Sequence, residues 1–299
     1  MELTCISERN TKLLSVLRRE LRLSDGLVRR LKPYEPFRVN GKTVHTDFII
    51  RPGDEIRVII EEAPPEFPAE DGALSVVYED DALIVLDKPA GILVHPTANR
   101  TTGTLANRLS GYYRQTSQPC AVHVLTRLDR DTMGLVIYGK NAFIHAVLME
   151  EMEKKQVQKT YFAEVIGCPT ETEGEIDLPI ARLREGSLLR CVREDGKRAI
   201  TRYRVLARKE ATSLLALCPV TGRTHQLRVH CSHLGFPIVG DPQYGGGSGG
   251  QRLIAGRLTL PHPLSGEQLC FCSPQAEALL AEYGICLSQQ KPCHPEEIK

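Results

Sequence analysis

The chain has 299 residues, of which 41% are hydrophobic and 25% charged, with a formal net charge of +1. This composition is typical of a globular protein, and the length suggests about two domains. No apolar run approaches the ~20 residues of a membrane span, and the start MELTCISERN has neither the basic flank nor the apolar stretch of a secretory signal. We therefore expect a cytoplasmic protein that does not contact a membrane.

The first predicted elements are two short helices and a β-hairpin. Leucines recur at helical spacing between Leu13 and Leu21, and Ser24 is a suitable N-cap for a second helix that ends at Pro33. The segment FRVNGKTV predicts a hairpin, because Asn-Gly is the preferred pair for a tight turn between strands. With PGDE after it, this small α/β unit, residues 1–62, resembles the RNA-binding domain named after ribosomal small-subunit protein four (an S-four-like domain).

Positive charge is concentrated in two regions of this nearly neutral chain. Residues 9–42 carry ten Lys or Arg against three acids, and residues 182–208 carry nine against three. One such run alone is more often a solvated face, but two favour a polyanionic partner. In the first unit we expect RNA contacts from six side chains: Arg18, Arg19, Arg22, Arg29, Arg30 and Lys42.

The segment EEAPPEFPAEDG, residues 61–72, is rich in Pro and Glu and predicts a domain boundary. We predict a linker over 63–72, a second domain over 73–287 and a flexible tail over 288–299. In the second domain Asn141 caps one clear helix, and SVVYE, ALIVLDK, LVIYG, TYFAEVIG and SLLALCPV are predicted strands. Because helices and strands do not alternate regularly, the predicted fold is α+β with a mixed, largely antiparallel sheet.

Four segments carry the candidate chemistry. They are LDKPAGILVHP (86–96), TRLDRDTMG (126–134), KTYFAEVIG (159–167) and GRTHQLRVHCSHLGFPIVGDPQYG (222–245). Each alone has an ordinary explanation as a turn, a strand or a basic surface. The histidines of the fourth segment follow neither HExxH nor a Cys/His zinc spacing, and the ten cysteines form no CxxC pair. We therefore predict neither a metal site nor a cofactor.

In combination and in this order, the four segments resemble the RluA-type pseudouridine synthases. RLDRDT matches that family's active-site loop, which implies that Asp129 is the essential carboxylate. KTY matches the segment that supplies Lys159 and Tyr161, and GRTHQLRVH the one whose arginine, Arg223, pairs with the aspartate. The resemblance covers nearly all of residues 73–275. It implies the pseudouridine synthase type of sheet and the isomerisation of specific uridines in RNA.

Further substrate contacts are predicted beside these motifs, from Arg127, Lys159, His225, Gln226 and Arg228. Three positions depart from the family's usual pattern. Thr126 and Ile254 stand where histidine is common, and Met133 replaces a serine. None of the three removes a group with an assigned chemical role.

The physics of the reaction fits these residue types. The isomerisation breaks a carbon–nitrogen glycosidic bond, turns the detached base and joins its carbon five to the sugar. A carboxylate near the ribose acts as nucleophile or base, or stabilises positive charge, and the sequence leaves these roles open. An arginine keeps such a carboxylate ionised in a partly desolvated site, and Tyr161 offers an aromatic face to the extracted base. Asp131 is predicted to point away and to hold the loop.

Two other functions stay open. A glycosidase needs two carboxylates roughly 5–10 Å apart, which Asp129 and Asp131 could supply, but it does not require two basic regions. A ribosome-associated RNA-binding protein without activity has no use for Asp129, Tyr161 and Arg223 together. The expected partner is structured RNA, large-subunit ribosomal RNA first and transfer RNA second, and the expected state is a monomer.

Overall fold

The computed structural model describes residues 1–60, 67–118 and 120–287. The predicted tail 288–299 and the first part of the predicted linker, 63–66, lie outside the described residues. Within those described ranges no helix is long and apolar enough to cross a membrane. The first unit contains β1 (Glu2–Ile6), β2 (Thr11–Lys12), α1 (Leu13–Arg19), α2 (Asp25–Leu31), β3 (Phe37–Val39), β4 (Lys42–Thr43), β5 (Ile49–Ile50) and β6 (Glu55–Ile59).

The helices and hairpin of the first unit form where the sequence predicts them. The Ser24 hydroxyl accepts a hydrogen bond from the N–H of Leu27 at 3.2 Å, and α2 ends at Leu31, just before Pro33. In the hairpin turn the φ angles of the Asn-Gly pair are 49° and 78°, as a type I′ turn requires. The order of the antiparallel sheet is β1-β6-β3-β4. The sheet and both helices bury one continuous apolar cluster.

The second unit contains β7 (Val76–Glu79), β8 (Leu83–Lys88), α3 (Leu105–Gln115), β9 (His123–Val124), β10 (Met133–Gly139), α4 (Ala142–Glu153), β11 (Gln158–Ile166), β12 (Glu173–Asp177), β13 (Ile180–Arg182), β14 (Arg190–Val192), β15 (Ile200–Arg208), β16 (Thr212–Pro219), α5 (Gln226–His233), β17 (Leu253–Pro261), β18 (Gln268–Cys272) and α6 (Pro274–Ala281). The strand order of its main sheet is β12-β15-β16-β11-β17-β10-β8-β7, with β18 beside β17 and β9 beside β10. The pair β10–β17 is parallel and the other pairs of this sheet are antiparallel. The prediction of an α+β fold with a mixed, largely antiparallel sheet is confirmed.

Both faces of the sheet are covered at β8 and β10, which explains their uninterrupted apolar sequences. Successive strand residues point to opposite faces. One face packs with α3 and carries Ile84, Leu86, Val136 and Tyr138. The other face packs with α4 and carries Leu83, Val85, Leu135 and Ile137.

The first unit packs against the second at helix α4. Leu17 and Leu27 of the first unit belong to one hydrophobic cluster with Phe143 and Val147 of α4. At its margin the guanidinium of Arg22 pairs with two carboxylates of α4, those of Glu150 at 3.4 Å and of Glu151. The contact between the units is therefore apolar as well as ionic.

The end of the predicted linker is ordered on α3. The carboxylate of Glu70 accepts hydrogen bonds from the N–H of Gly103 at 2.9 and 3.0 Å. The side-chain amide of Asn107 donates to the carbonyl of Pro68 at 2.9 Å. The described part of the predicted linker, residues 67–72, is therefore hydrogen-bonded to the second unit.

Candidate active site

Asp129 lies on a loop between two paired strands. β9 and β10 pair antiparallel, and residues 125–132, the Asp129 loop, join them. The N–H of Leu125 donates to the carbonyl of Ile137 at 3.0 Å, and the hydroxyl of Thr126 accepts from the N–H of Ile137 at 3.1 Å. The buried Thr126, which stands where the family usually has histidine, therefore fixes the base of the loop.

Lys88 connects the Asp129 loop to the segment after β8 by hydrogen bonds. Its side chain is fully buried, and its ammonium donates to the carbonyls of Pro89 at 2.9 Å, Ile92 at 3.0 Å and Arg130 at 2.8 Å. Burial lowers the pKa of Lys88 to about 8, although the nearby carboxylates oppose this shift. The segment LDKPAG is a candidate from the sequence alone, but the sequence predicts no role for this lysine.

A close approach of three strands brings Tyr161 toward the same end of the sheet. Gly134 of β10 has a φ of 105°, and a Cβ on it would lie 2.3 Å from the carbonyl oxygen of Ala255 in β17. Only glycine fits there. Ala255 in turn stands opposite Tyr161 of β11, where the strand register shifts after Thr160, and such bulges re-aim side chains.

The hydroxyl of Tyr161 stays protonated at neutral pH. Burial, and then the negative charge of Asp129, raise the pKa of Tyr161 well above its ordinary value. Met133 and Ile254, two of the departures from the family pattern, face each other in the parallel pair and share one apolar cluster. These two departures therefore complement each other behind the site.

Arg228 lies at the centre of the site, where its guanidinium contacts two carboxylates. Nη1 donates to Oδ2 of Asp129 at 3.1 Å, while Nε and Nη2 donate to the two oxygens of Asp241 at 2.7 and 2.9 Å. Nη2 also donates to Oε1 of Gln243 at 2.7 Å, and the ring of Tyr244 lies 4.8 Å from the guanidinium carbon. The Asp241 side chain is fully buried, whereas that of Asp129 is 28% exposed. Asp241 thus fixes the orientation of the Arg228 guanidinium, whose Nη1 contacts the partly exposed carboxylate of Asp129.

The prediction that Arg223 grips Asp129 is wrong, because Arg228 occupies that position. Helix α5 begins only at Gln226, so Arg223 lies in the exposed turn before it. There its Nε donates to the carbonyl of Arg198 at 3.0 Å. Arg228, predicted as a substrate contact, stands on the first turn of α5 and holds the carboxylate instead.

Gln226 also differs from its prediction as a substrate contact. Its amide nitrogen donates to the carbonyl of Ile200 at 2.8 Å. Its amide oxygen accepts from the hydroxyl of Thr221 at 2.8 Å and from the N–H of Arg223 at 2.9 Å. The buried side chain therefore fixes the turn before α5 to β15, and its hydrogen-bonding groups are engaged in the framework.

His225 directs its Nε2 toward Asp129, at 3.8 Å from Oδ2. Its Nδ1 lies 2.7 Å from the hydroxyl oxygen of Tyr244, which also accepts from the backbone N–H of Arg190 at 2.9 Å. Burial lowers the pKa of His225 despite the opposing charge of Asp129, which favours the neutral ring.

The remaining predicted site residues lie on β11 and on the Asp129 loop. Lys159, on β11, is half-buried, and burial lowers its pKa to about 8. Arg127 is exposed on the Asp129 loop. Asp131 pairs with its neighbour Arg130 at 2.9 Å and is 43% exposed, so its predicted role in holding the loop falls mainly to Lys88.

The predicted RNA-contacting side chains of the first unit are exposed with one exception. Arg22 is partly buried and pairs with Glu150 and Glu151 of α4. In the second basic region several arginines pair with carboxylates, and these are Arg193, Arg198, Arg202 and Arg204. Among the residues that the structure describes, no group of three or more His, Cys, Asp or Glu could hold a metal ion.

Comparison with known proteins gives consistent matches. The profile of the family described as RNA pseudouridylate synthase matches residues 82–233, which include the Asp129 loop, Tyr161 and α5. The chain is 35% identical over 272 residues to YhcT of Bacillus subtilis, named an uncharacterized RNA pseudouridine synthase, covering 88% of this chain and 89% of that one. It is 36% identical over 260 residues to the ribosomal large subunit pseudouridine synthase D of Pseudomonas aeruginosa, covering 81% of each chain.

Solved structures agree with these matches. The human protein named RNA pseudouridylate synthase domain containing 1 superposes with a TM-score of 0.57 and is 29% identical. The superposition covers 69% of this chain and 86% of the human one.

Proposed function

Because this chain belongs to the RNA pseudouridylate synthase family, whose members isomerise uridine in RNA to pseudouridine, we propose that its substrate is large-subunit ribosomal RNA and that Asp129 is its essential carboxylate. Relatives from Pseudomonas aeruginosa, Xanthomonas campestris and Nitrosomonas europaea that bear the name ribosomal large subunit pseudouridine synthase D support the choice of RNA. Transfer RNA is the second candidate. We also propose that the enzyme works as a monomer in the cytoplasm.

The observation that carries the proposal is the chain of contacts Asp241–Arg228–Asp129. A fully buried carboxylate fixes the guanidinium, and the guanidinium meets a second carboxylate that remains partly exposed. The bidentate grip sets the direction of the cation as well as its charge. A carboxylate oriented in this way is prepared to face the ribose of an incoming nucleotide without reorganisation, which is where electrostatic catalysis gains most.

The reaction needs no co-reactant. The bond between the ribose carbon C1′ and N1 of uracil breaks, and a bond between C1′ and C5 forms. The hydrogen on C5 leaves as a proton, and N1 gains a proton. The negative charge of Asp129, as nucleophile, base or electrostatic partner, acts at the ribose while C1′ is without its base. Arg228 holds the carboxylate in place in each of these roles.

The base must be held while it turns, and Tyr161 is our candidate for that function. Its raised pKa keeps the phenol neutral, so it offers an aromatic face and a hydrogen-bond donor but no phenolate base. Aromatic faces are the usual platform for a base taken out of its stack. Lys159 on the same strand and Arg127 on the Asp129 loop supply positive charge for the flanking RNA backbone.

Residues 1–62 complete the proposal as an S-four-like RNA-binding unit. Arg29, Arg30 and Lys42 are exposed, and no mechanism in the second unit uses them. Their exposed charges suit phosphate contacts. The unit is docked on α4 through a shared apolar cluster, so it presents these charges in a fixed direction relative to Asp129.

One experiment tests the choice of activity and of RNA. Unmodified transcripts of large-subunit ribosomal RNA and of total transfer RNA are incubated with the protein and no cofactor, then digested to nucleosides. We expect pseudouridine in the ribosomal transcript. Its appearance only in transfer RNA would contradict the choice of RNA. Free uracil would indicate a glycosidase, and unchanged RNA bound by the protein would indicate a binding protein without activity.

A further inference from the structure

A buried glutamine beside the Asp129 loop uses only part of its hydrogen-bonding capacity. Gln251 and Thr132 are each 3% exposed. Nε2 of Gln251 donates to the hydroxyl oxygen of Thr132 at 2.8 Å, while Oε1 of Gln251 is buried without a hydrogen-bond partner among the residues that the structure describes. Burying an acceptor in this way costs free energy of folding. Stability alone therefore explains this glutamine poorly.

Thr132 is the last residue of the Asp129 loop. It follows Asp129 by three positions, and β10 begins at the next residue, Met133. The parallel pairing of β10 with β17 that follows is short and covers two residue pairs. The hydrogen bond from Gln251, which lies just before β17, adds a contact at the start of this pairing. It therefore fixes the point at which the loop joins the sheet.

The segment that contains this glutamine also holds the loop at a second point. Residues 238–251, the glycine-rich segment, lie between α5 and β17. Asp241 in this segment binds Arg228, which contacts the carboxylate of Asp129. The glycine-rich segment is therefore bonded to the Asp129 loop directly at Thr132 and, through the guanidinium, at the essential carboxylate.

The glycine-rich segment is compact, although it contains the run GGGSGG. The N–H of Gly240 donates to the carbonyl of Gly246 at 2.7 Å, and the N–H of Gly246 donates to the carbonyl of Asp241 at 2.8 Å. A Cβ on Gly240 would lie 1.9 Å from the carbonyl oxygen of Gly250, and one on Gly246 would lie 1.7 Å from that of Ile238. Both side chains that hold the loop thus extend from one closely packed piece of backbone.

We propose that Gln251 is a positioning residue for the reaction, and that its hydrogen bond to Thr132 sets the place of the Asp129 carboxylate relative to Arg228. The inference rests on the proposed function, because it concerns the geometry of that reaction's carboxylate. A displacement of about 1 Å in an active site can lower a rate about 100-fold, and active sites commonly retain groups that cost stability. Gln251 acts through the loop and takes no part in bond breaking.

The test replaces both partners at once, in Gln251→Met/Thr132→Val. Among the residues that the structure describes, the hydroxyl of Thr132 is hydrogen-bonded to Gln251 alone. The double variant therefore leaves no unpaired side-chain group at this contact and keeps similar side-chain shapes. Replacing both partners of a buried hydrogen bond by apolar groups of the same shape is nearly neutral or stabilising. We expect a melting temperature equal to that of wild type or higher.

The rate should change although the melting temperature does not fall. With the ribosomal transcript and saturating enzyme, we expect single turnover of the double variant to be about tenfold slower than wild type, with RNA affinity within about twofold. Thr132→Ser keeps the hydroxyl and should retain most of the wild-type rate, whereas Thr132→Val should be about as slow as the double variant. A residue that serves only stability does not give this result.

Gln118→Met is the matched control. The half-buried side chain of Gln118 donates to a carboxylate oxygen of Glu79 at 3.0 Å and accepts from the ammonium of Lys140 at 2.9 Å. Glu79 and Lys140 belong neither to the Asp129 loop nor to the glycine-rich segment. We expect this variant to melt at a lower temperature than wild type and to react at the wild-type rate.

Hydrogen exchange tests the same contact without RNA. The backbone amides of residues 125–132 should exchange about threefold faster or more in Gln251→Met/Thr132→Val than in wild type, because this end of the loop opens more often. The amides of α4 should exchange equally in the two proteins. This measurement does not depend on activity, so it tests the positioning role separately from the proposed function.

Several results would overturn the positioning role. They are a wild-type rate in the double variant, a melting temperature that falls as in Gln118→Met, and equal slowing of Gln118→Met. Loss of RNA affinity with an unchanged rate at saturation would make Gln251 an RNA contact instead. Unchanged hydrogen exchange over residues 125–132 would refute the role by itself. If wild-type enzyme modifies neither transcript, the proposed function fails, and this outcome is recognised before any variant is compared.

Discussion

Replacing Arg228 by lysine separates the charge of the guanidinium from its shape. Arg228 donates two hydrogen bonds to Asp241, one to Asp129 and one to Gln243. A lysine ammonium donates from a single point on a flexible stem, so it cannot keep the bidentate grip on Asp241 and also reach Asp129. The positive charge remains, but the direction of the Asp129 carboxylate is no longer fixed.

The size of the effect follows from removal of the hydrogen bond to Asp129. A hydrogen bond between charged groups contributes about 1.5–3 kcal/mol. Each 1.4 kcal/mol of transition-state stabilisation corresponds to about a tenfold change in rate. We therefore expect Arg228→Lys to lower the single-turnover rate by about 10- to 100-fold, with RNA affinity close to wild type. The weakened grip on the buried Asp241 should also lower the melting temperature.

The assay follows the proton that leaves carbon five, as tritium released from RNA with tritiated uridine at saturating enzyme. Arg223→Lys is the matched control, since Arg223 precedes α5 by three residues and donates only to the carbonyl of Arg198 among the hydrogen bonds described for its side chain. We expect this control to react at nearly the wild-type rate. A wild-type rate for Arg228→Lys, or equal losses in the two variants, would refute the assignment of Arg228.

Three other predictions concern charge and loop geometry. Burial lowers the pKa of Lys159 to about 8 from 10.5, so the rate should fall as the pH rises through about 8. Lys159→Arg stays charged and should keep the rate constant to a higher pH. An alkaline limb of the pH–rate profile that is the same in Lys159→Arg and wild type would exclude Lys159 as the group that titrates. Unfolding does not explain that fall. Between pH 8 and 10.5 this lysine is protonated in the unfolded chain and deprotonated in the folded one, so the folded state becomes more stable as the pH rises. Lys88→Met removes three hydrogen bonds that hold the Asp129 loop and should lower turnover at least about tenfold with unchanged RNA affinity. Wild-type turnover of this variant in a tritium-release assay would show that the loop keeps its conformation without Lys88. The double variant Arg29→Gln/Arg30→Gln should make the slope of log affinity against log salt shallower by roughly 0.7–0.9 for each phosphate that is no longer neutralised. Arg22→Gln should leave this slope unchanged and lower the melting temperature. The reverse result in salt titrations and thermal melts would place the RNA contact at Arg22.

Local signals in the sequence predicted the parts of the fold that depend on neighbouring residues. The cap at Asn141, which accepts from the N–H of Ile144, and the Asn-Gly hairpin turn have short-range causes. Helix α3 was missed, because Asn107, Ser110 and Gly111 interrupt its apolar pattern. In the fold Asn107 completes a capping box with Thr104, and Gly111 lies against the backbone of residue 70. Those explanations require tertiary contacts that a single sequence does not display.

The candidate site shows the same division. The motif around Asp129 was visible as a pattern, whereas the identity of its partner depended on where α5 begins, and that start is fixed by the contacts of Gln226 with β15. The roles of Asp241 and Lys88 were hidden for a related reason. Each acts through a partner distant in sequence: Asp241 follows Arg228 at a separation of 13 positions, and Arg130 follows Lys88 at a separation of 42.

The central claim is that Asp129 supplies the essential negative charge, and the most direct measurement is the pseudouridine yield of Asp129→Asn. The substitution is nearly isosteric, and Asp131→Asn is its matched control, because the exposed pair of Asp131 with Arg130 contributes little. On the ribosomal transcript we expect Asp129→Asn to fold and bind RNA but to form pseudouridine at least about 100-fold more slowly, while Asp131→Asn stays active. Turnover of Asp129→Asn above a few per cent of wild type, or equal loss in both variants, would contradict the account.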